Sequence, residues 1–289
     1  MRSSFATVVI DLSLSIRIAL SALRRPERYS YGPEPSQCAD LHRPKGDGPH
    51  PVAVVIHGGY WQASYGKLIT RPLCIDLARR GWAAWNIEYR RIGRGQGGGW
   101  PATFADVAAG IDHLAAVGDP TLDLADLTVI GHSAGGQLAL WAGSRPDLLD
   151  TTPGSKPVLS ATRVIALAPV TDLRRAGDTA HALIGGTPEE VPDRYTQSNP
   201  IQQAPLGVPV LLSHPRDDRT VSVKGSRAYA QAALANGADV TLLEPAGIDH
   251  SGITNPTSDG WKEVAAWLAQ RTSARPASVS DTSKQPSQD

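Results

Sequence analysis

The feature that most constrains the fold is a series of short, continuous apolar runs separated by stretches with helical spacing. Runs of this kind suit strands that are buried on both faces, as in parallel sheets. The runs are residues 52–56, 83–88, 127–130, 164–168, 208–212 and 240–243. Helices are predicted at residues 67–80, 104–117, 136–144 and 226–236. The alternation of strand and helix predicts an α/β fold with a mostly parallel sheet and helices on both faces.

The main domain is predicted at residues 29–271, and smaller elements lie within it and beyond its ends. Residues 29–31 and 37–42 are candidates for antiparallel edge strands. The segment 171–206 is long, contains prolines and is weakly periodic, which indicates a small cap inserted over one end of the sheet. Residues 272–289 are rich in Ser, Thr, Pro and Gln, and they predict a disordered tail.

Residues 1–28 predict an amphipathic N-terminal helix, because apolar residues recur there at helical spacing. These apolar residues are Phe5, Val8, Val9, Leu12, Ile16, Ala19, Leu20 and Leu23. Asp11 and Arg17 interrupt the apolar region, which argues against a secretion signal and against a membrane span. The helix is left with three alternative roles: it shields an apolar surface, supports a homodimer or touches a membrane.

Charge and cysteine content exclude several classes of protein. Lys plus Arg and Asp plus Glu both number 28, so the basic excess typical of a nucleic-acid partner is absent. No polybasic block is present in the sequence, so stable membrane insertion is not expected. Two cysteines, Cys38 and Cys74, are too few for a disulfide scaffold and favour a cytoplasmic location.

Residues 131–135 read G-H-S-A-G, directly after a predicted strand and directly before a predicted helix. In a G-x-S-x-G motif the serine occupies a sharp strand-to-helix turn, and the glycines let neighbouring backbone approach it. The first N–H groups of the helix point toward the same place. We therefore predict that Ser133 is a nucleophile. The alternative is a glycine-rich helix entry with an incidental serine.

A serine hydroxyl needs a general base, and an acid must orient that base. For a nucleophile on this kind of turn, the order along the chain is nucleophile, acid and base. Of the eight histidines, His250 lies far downstream of the serine and past a candidate acid, so it is the predicted base. The acid is left open between Asp217 and Asp218, which follow a predicted strand, with Asp249 as a weaker candidate.

Acyl transfer also requires hydrogen-bond donors for an oxyanion. One donor is the backbone N–H after the nucleophile, here Ala134, and others come from the loop after an early strand. The sequence H-G-G-Y-W begins at His57 in that loop, so the N–H groups of Gly59 and Tyr60 are the further predicted donors. The alternative is a tight turn with aromatic packing. Two nearby side chains are predicted to bind substrate: Trp61 and His132.

No cofactor or metal is predicted. Gly93, Gly95 and Gly98 satisfy G-x-G-x-x-G, but they lie several residues beyond the preceding strand and no helix follows at once. A dinucleotide fingerprint needs its first glycine at the strand end. The zinc pattern H-E-x-x-H, a paired C-x-x-C and the phosphate-binding G-x-x-x-x-G-K-[ST] do not occur.

Residues 29–270 resemble the α/β-hydrolase superfamily. Within it, the chain is similar to the esterase branch that includes kynurenine formamidase and the carboxylesterases related to hormone-sensitive lipase. H-G-G-Y-W matches the H-G-G-x-W motif of the formamidases. The family's acid loop, H-G-x-x-D-x-x-V, is matched at His214, Asp218 and Val221, although Pro215 replaces its glycine. This resemblance implies that Asp218 is the acid. The family's base lies in a G-x-x-H turn, which is matched by the four residues that end at His250, so the resemblance implies that His250 is the base.

The resemblance implies a serine hydrolase that cleaves small carboxylic esters through an acyl-enzyme, without a cofactor. The alternative is an aryl formamide hydrolase like kynurenine formamidase, for which a small amide is the substrate. A non-catalytic binding protein with the same fold is a third, weaker alternative, because all three triad positions are filled.

Overall fold

The computed structural model describes residues 12–23 and 25–273. Its strands are β1 (Glu27–Ser30), β2 (Cys38–His42), β3 (His50–Ile56), β4 (Ala83–Ile87), β5 (Leu122–His132), β6 (Arg163–Leu167), β7 (Val210–Ser213) and β8 (Val240–Leu243). Its α-helices are α1 (Leu12–Ala22), α2 (Arg71–Arg79), α3 (Ala102–Val117), α4 (Ala134–Ser144), α5 (Asp178–Ile184), α6 (Pro192–Ser198), α7 (Pro200–Gln203), α8 (Val223–Ala235) and α9 (Asp259–Ser273). Short 3-10 helices occupy Lys67–Thr70, Arg145–Asp147, Leu173–Arg175 and Gly252–Thr254.

The described strands form one sheet in the order β1-β2-β4-β3-β5-β6-β7-β8. The six strands from β3 to β8 pair in parallel, whereas β1 and β2 pair antiparallel at one edge. This arrangement confirms the predicted α/β fold, the mostly parallel sheet and the antiparallel edge strands. It also brings the carboxyl ends of β3, β5, β7 and β8 to one edge of the sheet, where such folds bind ligands.

Strand β3 explains why the parallel strands read as continuous apolar runs. Val52, Val54 and Ile56 belong to the core on the side of α3, α4 and α8. Ala53 and Val55 belong to the opposite core, which includes residues of α2 and α9. Since successive side chains point to opposite faces, a strand between two helix layers must be apolar at every position.

The ends of the chain differ in detail from the predicted boundaries. The helix predicted within residues 1–28 is observed at Leu12–Ala22, and Glu27 already belongs to β1. The part of that prediction on residues 1–11 lies outside the described residues. Helix α9 runs to Ser273, two residues into the predicted tail, and residues 274–289 are not described. No helix among the described residues is long and apolar enough to cross a membrane.

Residues 171–206 form α5, α6, α7 and a 3-10 helix, and they pack beside α4. Gln137 Nε2 donates to the carbonyl of Ser198 at 2.9 Å, and Trp141 Nε1 donates to the carbonyl of Gln197 at 3.1 Å. These bonds tie the segment to the helix that follows Ser133. Buried side chains of the segment, such as Tyr195, join the core on that side of the sheet.

Candidate active site

Ser133 lies on the turn between β5 and α4 with φ 55° and ψ −117°. A positive φ is strained for a residue with a side chain, and the Ser133 N–H holds the turn by donating to the Leu167 carbonyl at 2.8 Å. A Cβ atom on Gly131 would overlap the carbonyl of Gly135, and one on Gly135 would overlap the carbonyl of Ile56. The glycines of the motif are therefore required by close backbone contacts.

His250 is hydrogen-bonded to Asp218, with 2.6 Å between Nδ1 and Oδ2. Because a carboxylate only accepts hydrogen bonds, the ring proton is on Nδ1 and Nε2 is left as an acceptor. His250 and Ser133 line the same cavity. The structure thus brings together all three residues of the predicted triad, although β5 and the two loops that carry them are far apart in sequence.

Asp218 is held by four donors. Its Oδ1 accepts from the N–H groups of Thr220 and Val221 at 2.7 and 2.9 Å, and the His214 Nε2 atom lies 3.3 Å from Oδ2. Burial by itself raises the pKa of Asp218, but hydrogen bonds from His214 and His250 outweigh it and hold this pKa well below its usual range. The carboxyl group is therefore ionised whenever the protein is folded near neutral pH.

The two other candidate acids are engaged elsewhere. Asp217 is exposed to solvent. Asp249 is next to His250 in sequence, but its Oδ1 atom accepts from the N–H of Gly252 at 2.6 Å and so caps a short turn. The structure therefore selects Asp218, the residue implied by the family spacing, as the partner of His250.

His132 stabilises the loop that carries His250. Its Nε2–H donates to the backbone carbonyl of His250 at 2.9 Å, and the two ring centroids lie 4.7 Å apart. Burial and, to a smaller extent, the neighbouring His250 lower the pKa of His132 to about 3. The ring is thus neutral. His132 also lines the cavity, so a contact with substrate, as predicted, stays a prediction.

The predicted oxyanion donors surround the serine. Gly59 and Tyr60 line the cavity with Ser133, and both have positive φ, 112° and 54°. A Cβ atom on Gly59 would overlap the Tyr65 side chain, so this position requires glycine. Ala134 is the first residue of α4, and the first N–H groups of a helix lack a partner within the helix. Their role as oxyanion donors stays a prediction.

A buried network fixes this turn. His57 Nε2 lies 2.7 Å from Glu88 Oε1, and His57 Nδ1 lies 2.7 Å from the carbonyl oxygen of Gly58. The second Glu88 oxygen accepts from the N–H of Lys67 at 2.9 Å, and Tyr89 donates to the carbonyl of His57 at 2.9 Å. Burial opposes ionisation of Glu88, yet His57 lowers its pKa to about 2. The network anchors the predicted oxyanion turn to the end of β4.

The structure places Trp61, a predicted substrate-binding residue, in the core and outside the cavity lining. Trp61 is 2% exposed and belongs to the core. Its Nε1–H donates to Gln137 Oε1 at 3.1 Å, so the indole is directed into α4 and is absent from the residues that line the cavity. Trp61 also has a positive φ, 56°. Sequence alone identified the turn but not this direction.

The cavity has a volume of about 40 Å³, which is room for a very few water molecules. Its lining residues include Leu14 and Ile18 of α1 and Ile69 of the 3-10 helix before α2. No residue from 171–206 is among them, so α1 and not the predicted cap forms this wall of the cavity. Sequence reasoning missed Leu14 and Ile18 because they lie outside its apolar pattern.

Comparisons with known proteins agree with this architecture. Residues 39–233 match the protein-family model BD-FAE. The chain is 25% identical over 240 residues to esterase LipC of Mycobacterium tuberculosis (strain ATCC 25618 / H37Rv), an alignment that covers 77% of this chain. The chain spans 59% of the length of LipC.

Three solved structures with the same fold are esterases. A truncated carbohydrate esterase from gut microbiota superposes with a TM-score of 0.75 at 19% identity, over 86% of this chain and 96% of that one. Esterase B from Lactobacillus rhamnosis, inhibited by a tributyrin phosphonate, gives a TM-score of 0.74 at 22% identity, over 90% and 91%. Butyrate-bound Est2 of Thermogutta terrifontis gives 0.69 at 21% identity, over 86% and 93%.

Proposed function

Because the chain belongs to the BD-FAE family and has the α/β-hydrolase fold, we propose that it is a carboxylesterase with Ser133 as its nucleophile. The observation that carries the proposal is the hydrogen bond of 2.6 Å between His250 and Asp218, next to a serine on a strained turn in the same cavity. Nucleophile, base and acid in this relation are the requirement for acyl transfer.

The proposed reaction uses each group in turn. Ser133 Oγ attacks the ester carbonyl while His250 Nε2 takes its proton, and Asp218 stabilises the resulting imidazolium. The N–H groups of Gly59, Tyr60 and Ala134 donate to the oxyanion. The alcohol leaves with the proton from His250. Water, activated by the same histidine, then releases the acid from the acyl-enzyme.

We propose that the acyl group is short. The cavity beside Ser133 is small, and Leu14 and Ile18 give it an apolar wall. Est2 has been solved with butyrate and with propionate bound, and esterase B with a tributyrin phosphonate, which supports testing acyl groups of that length. The alcohol portion is left open, because LipC is an esterase and another structural relative is a carbohydrate esterase.

The test is hydrolysis of p-nitrophenyl acetate, butyrate and octanoate by the wild type and by Ser133→Ala. We expect kcat for butyrate to fall by about 10⁴-fold or more in the variant. Ser155→Ala, which changes a serine outside the cavity lining, is the matched control and should retain full activity. A p-nitrophenyl alkylphosphonate should add its phosphonyl mass to the wild type but not to Ser133→Ala. Turnover that survives in Ser133→Ala would refute the proposal.

The second candidate is hydrolysis of an aryl formamide, which rests on the H-G-G-Y-W sequence that begins at His57. The buried position of Trp61 weakens it, because the most specific residue of the motif does not reach the cavity. N-formylkynurenine should be assayed beside the esters. A kcat/KM for the formamide well above the ester values would favour the second candidate.

A further inference from the structure

Helix α1 has two apolar faces. On its inner face, Leu14 and Ile18 line the cavity beside Ser133. On its outer face and at the residue that follows its end, four large apolar side chains are 51% to 81% exposed. They are Leu12, Ile16, Leu20 and Leu23. Their spacing of four, four and three residues places them on one side of the helix. The part of the predicted apolar pattern that lies within the described residues is therefore the outer face of α1.

This outer face is the main exposed apolar surface of the described residues. Among the described residues, eight large apolar side chains are exposed; three of them are on α1, and a fourth, Leu23, directly follows it. A fifth, Leu68, is on the 3-10 helix against which α1 packs. The other three, Leu149, Val158 and Leu234, belong to different segments. Single exposed apolar residues are ordinary, but a row of them indicates an interaction site.

The charges around α1 are mostly basic. Residues 12–25 contain three arginines and no acidic residue. Arg25 also begins a surface groove that is lined by Lys45 and Arg79. The acidic residue of that groove, Glu27, is paired with Arg43 at 2.7 Å. Within the described part of the chain, Arg25, Lys45 and Arg79 have no acidic partner in a salt bridge. The fold thus assembles a basic surface in a chain of zero net charge.

We propose that the outer face of α1, with the basic groove at its carboxyl end, docks on an anionic phospholipid membrane. A row of large aliphatic side chains beside arginine and lysine is the composition of helices that lie in the membrane interface, where each basic residue is attracted by anionic headgroups. A second copy of the chain is the less suitable occupant, because a symmetric dimer would place two basic surfaces side by side.

Docking would also position the cavity. The same helix contributes its outer face to the membrane and its inner face to the cavity wall, so the bound enzyme would meet esters that dissolve in lipid. This consequence rests on the proposed esterase activity, whereas the docking itself does not.

The experiment is co-sedimentation of the full chain, carrying Ser133→Ala to prevent hydrolysis, with sucrose-loaded vesicles. The vesicles are phosphatidylcholine alone or with about a third phosphatidylglycerol. We expect binding to the anionic vesicles, weakened by salt. Leu20→Glu/Leu23→Glu should lower the partition coefficient at least about tenfold. The matched control is Leu149→Glu/Leu234→Glu, which adds the same charge at leucines that are 69% and 55% exposed elsewhere, and it should bind like its parent.

A second variant tests the charges. Arg25→Glu/Arg79→Glu should lose binding to anionic vesicles while retaining the parent's circular dichroism. In the active background, the leucine variant should hydrolyse p-nitrophenyl butyrate at the wild-type rate, which separates membrane docking from catalysis. The proposal is overturned if the parent does not bind anionic vesicles, or if Leu20→Glu/Leu23→Glu binds them as well as the control Leu149→Glu/Leu234→Glu does. It is also overturned if sedimentation velocity shows a dimer that Leu20→Glu/Leu23→Glu dissociates.

Discussion

His132 should make the folded protein sensitive to mild acid. Its ring is buried, and its pKa is lowered to about 3 from an unfolded value of 6.5. Below pH 6.5, His132 therefore binds a proton in the unfolded chain but stays neutral in the folded chain. The free energy of unfolding falls as the pH falls. From these two pKa values, the free energy of unfolding should decrease by about 2 kcal/mol between pH 7 and pH 5 through this residue alone.

His132→Gln removes the titrating group and keeps an N–H donor that can reach the carbonyl of His250. The assay is urea unfolding of the wild type and the variant at three pH values from about 7 to about 5, which gives the free energy of unfolding of each protein as a function of pH. The acidic network contributes little difference in this window, since the pKa values of Asp218 and Glu88 are lowered and their stabilising effect is lost only below about pH 4.5. The wild type should therefore lose about 2 kcal/mol more than the variant.

Parallel stability curves for the two proteins would refute this reasoning, because they would mean that burial does not keep the His132 ring neutral. His132→Phe provides a separate check on its hydrogen bond. It keeps a ring beside His250 but removes the donor to the His250 carbonyl. We expect it to lower kcat for p-nitrophenyl butyrate, whereas His132→Gln should retain more of it.

Three further predictions follow from the site. Asp218→Asn should lower kcat by about 10⁴-fold, as expected when a triad base loses its orienting carboxylate, whereas exposed Asp217→Asn should change it little; equal losses would contradict the assignment. Trp61→Phe should cost about 1–3 kcal/mol in urea unfolding, because it leaves the buried Gln137 oxygen without its donor, while kcat/KM stays within about threefold. Leu14→Ala should raise the ratio of octanoate to acetate kcat/KM by about tenfold, since it removes part of the cavity wall; an unchanged ratio would exclude α1 from the acyl pocket.

Sequence reasoning performed best where the determining contacts are local. The strand, turn and helix around Ser133 are contiguous, and the glycines that permit the turn are two residues away on either side. The parallel sheet was predictable for a similar reason, because burial on both faces imposes apolar residues at every position of a strand such as β3. The role of Ser133 as a nucleophile stays a prediction until its variant is assayed.

Long-range contacts decided the remaining features. Asp217 and Asp218 are the same residue type in adjacent positions of one loop. The path of the loop places Asp218 against His250 and exposes Asp217. Likewise, the sequence motif places Trp61 on the turn, but the packing of α4 determines that its side chain contacts Gln137. Side-chain direction on a turn depends on the neighbouring helix, which no local pattern specifies.

By itself, the sequence determined the α/β architecture and the strained turn at Ser133, because apolar periodicity and glycine sterics act within a few residues. Only the tertiary structure decided which face of α1 covers the cavity. Periodicity indicates that a helix has an apolar face, but α1 has two, and packing chose the one with Leu14. The basic surface is similar: Arg25, Lys45 and Arg79 are far apart in sequence and form no block until folding brings them to one groove.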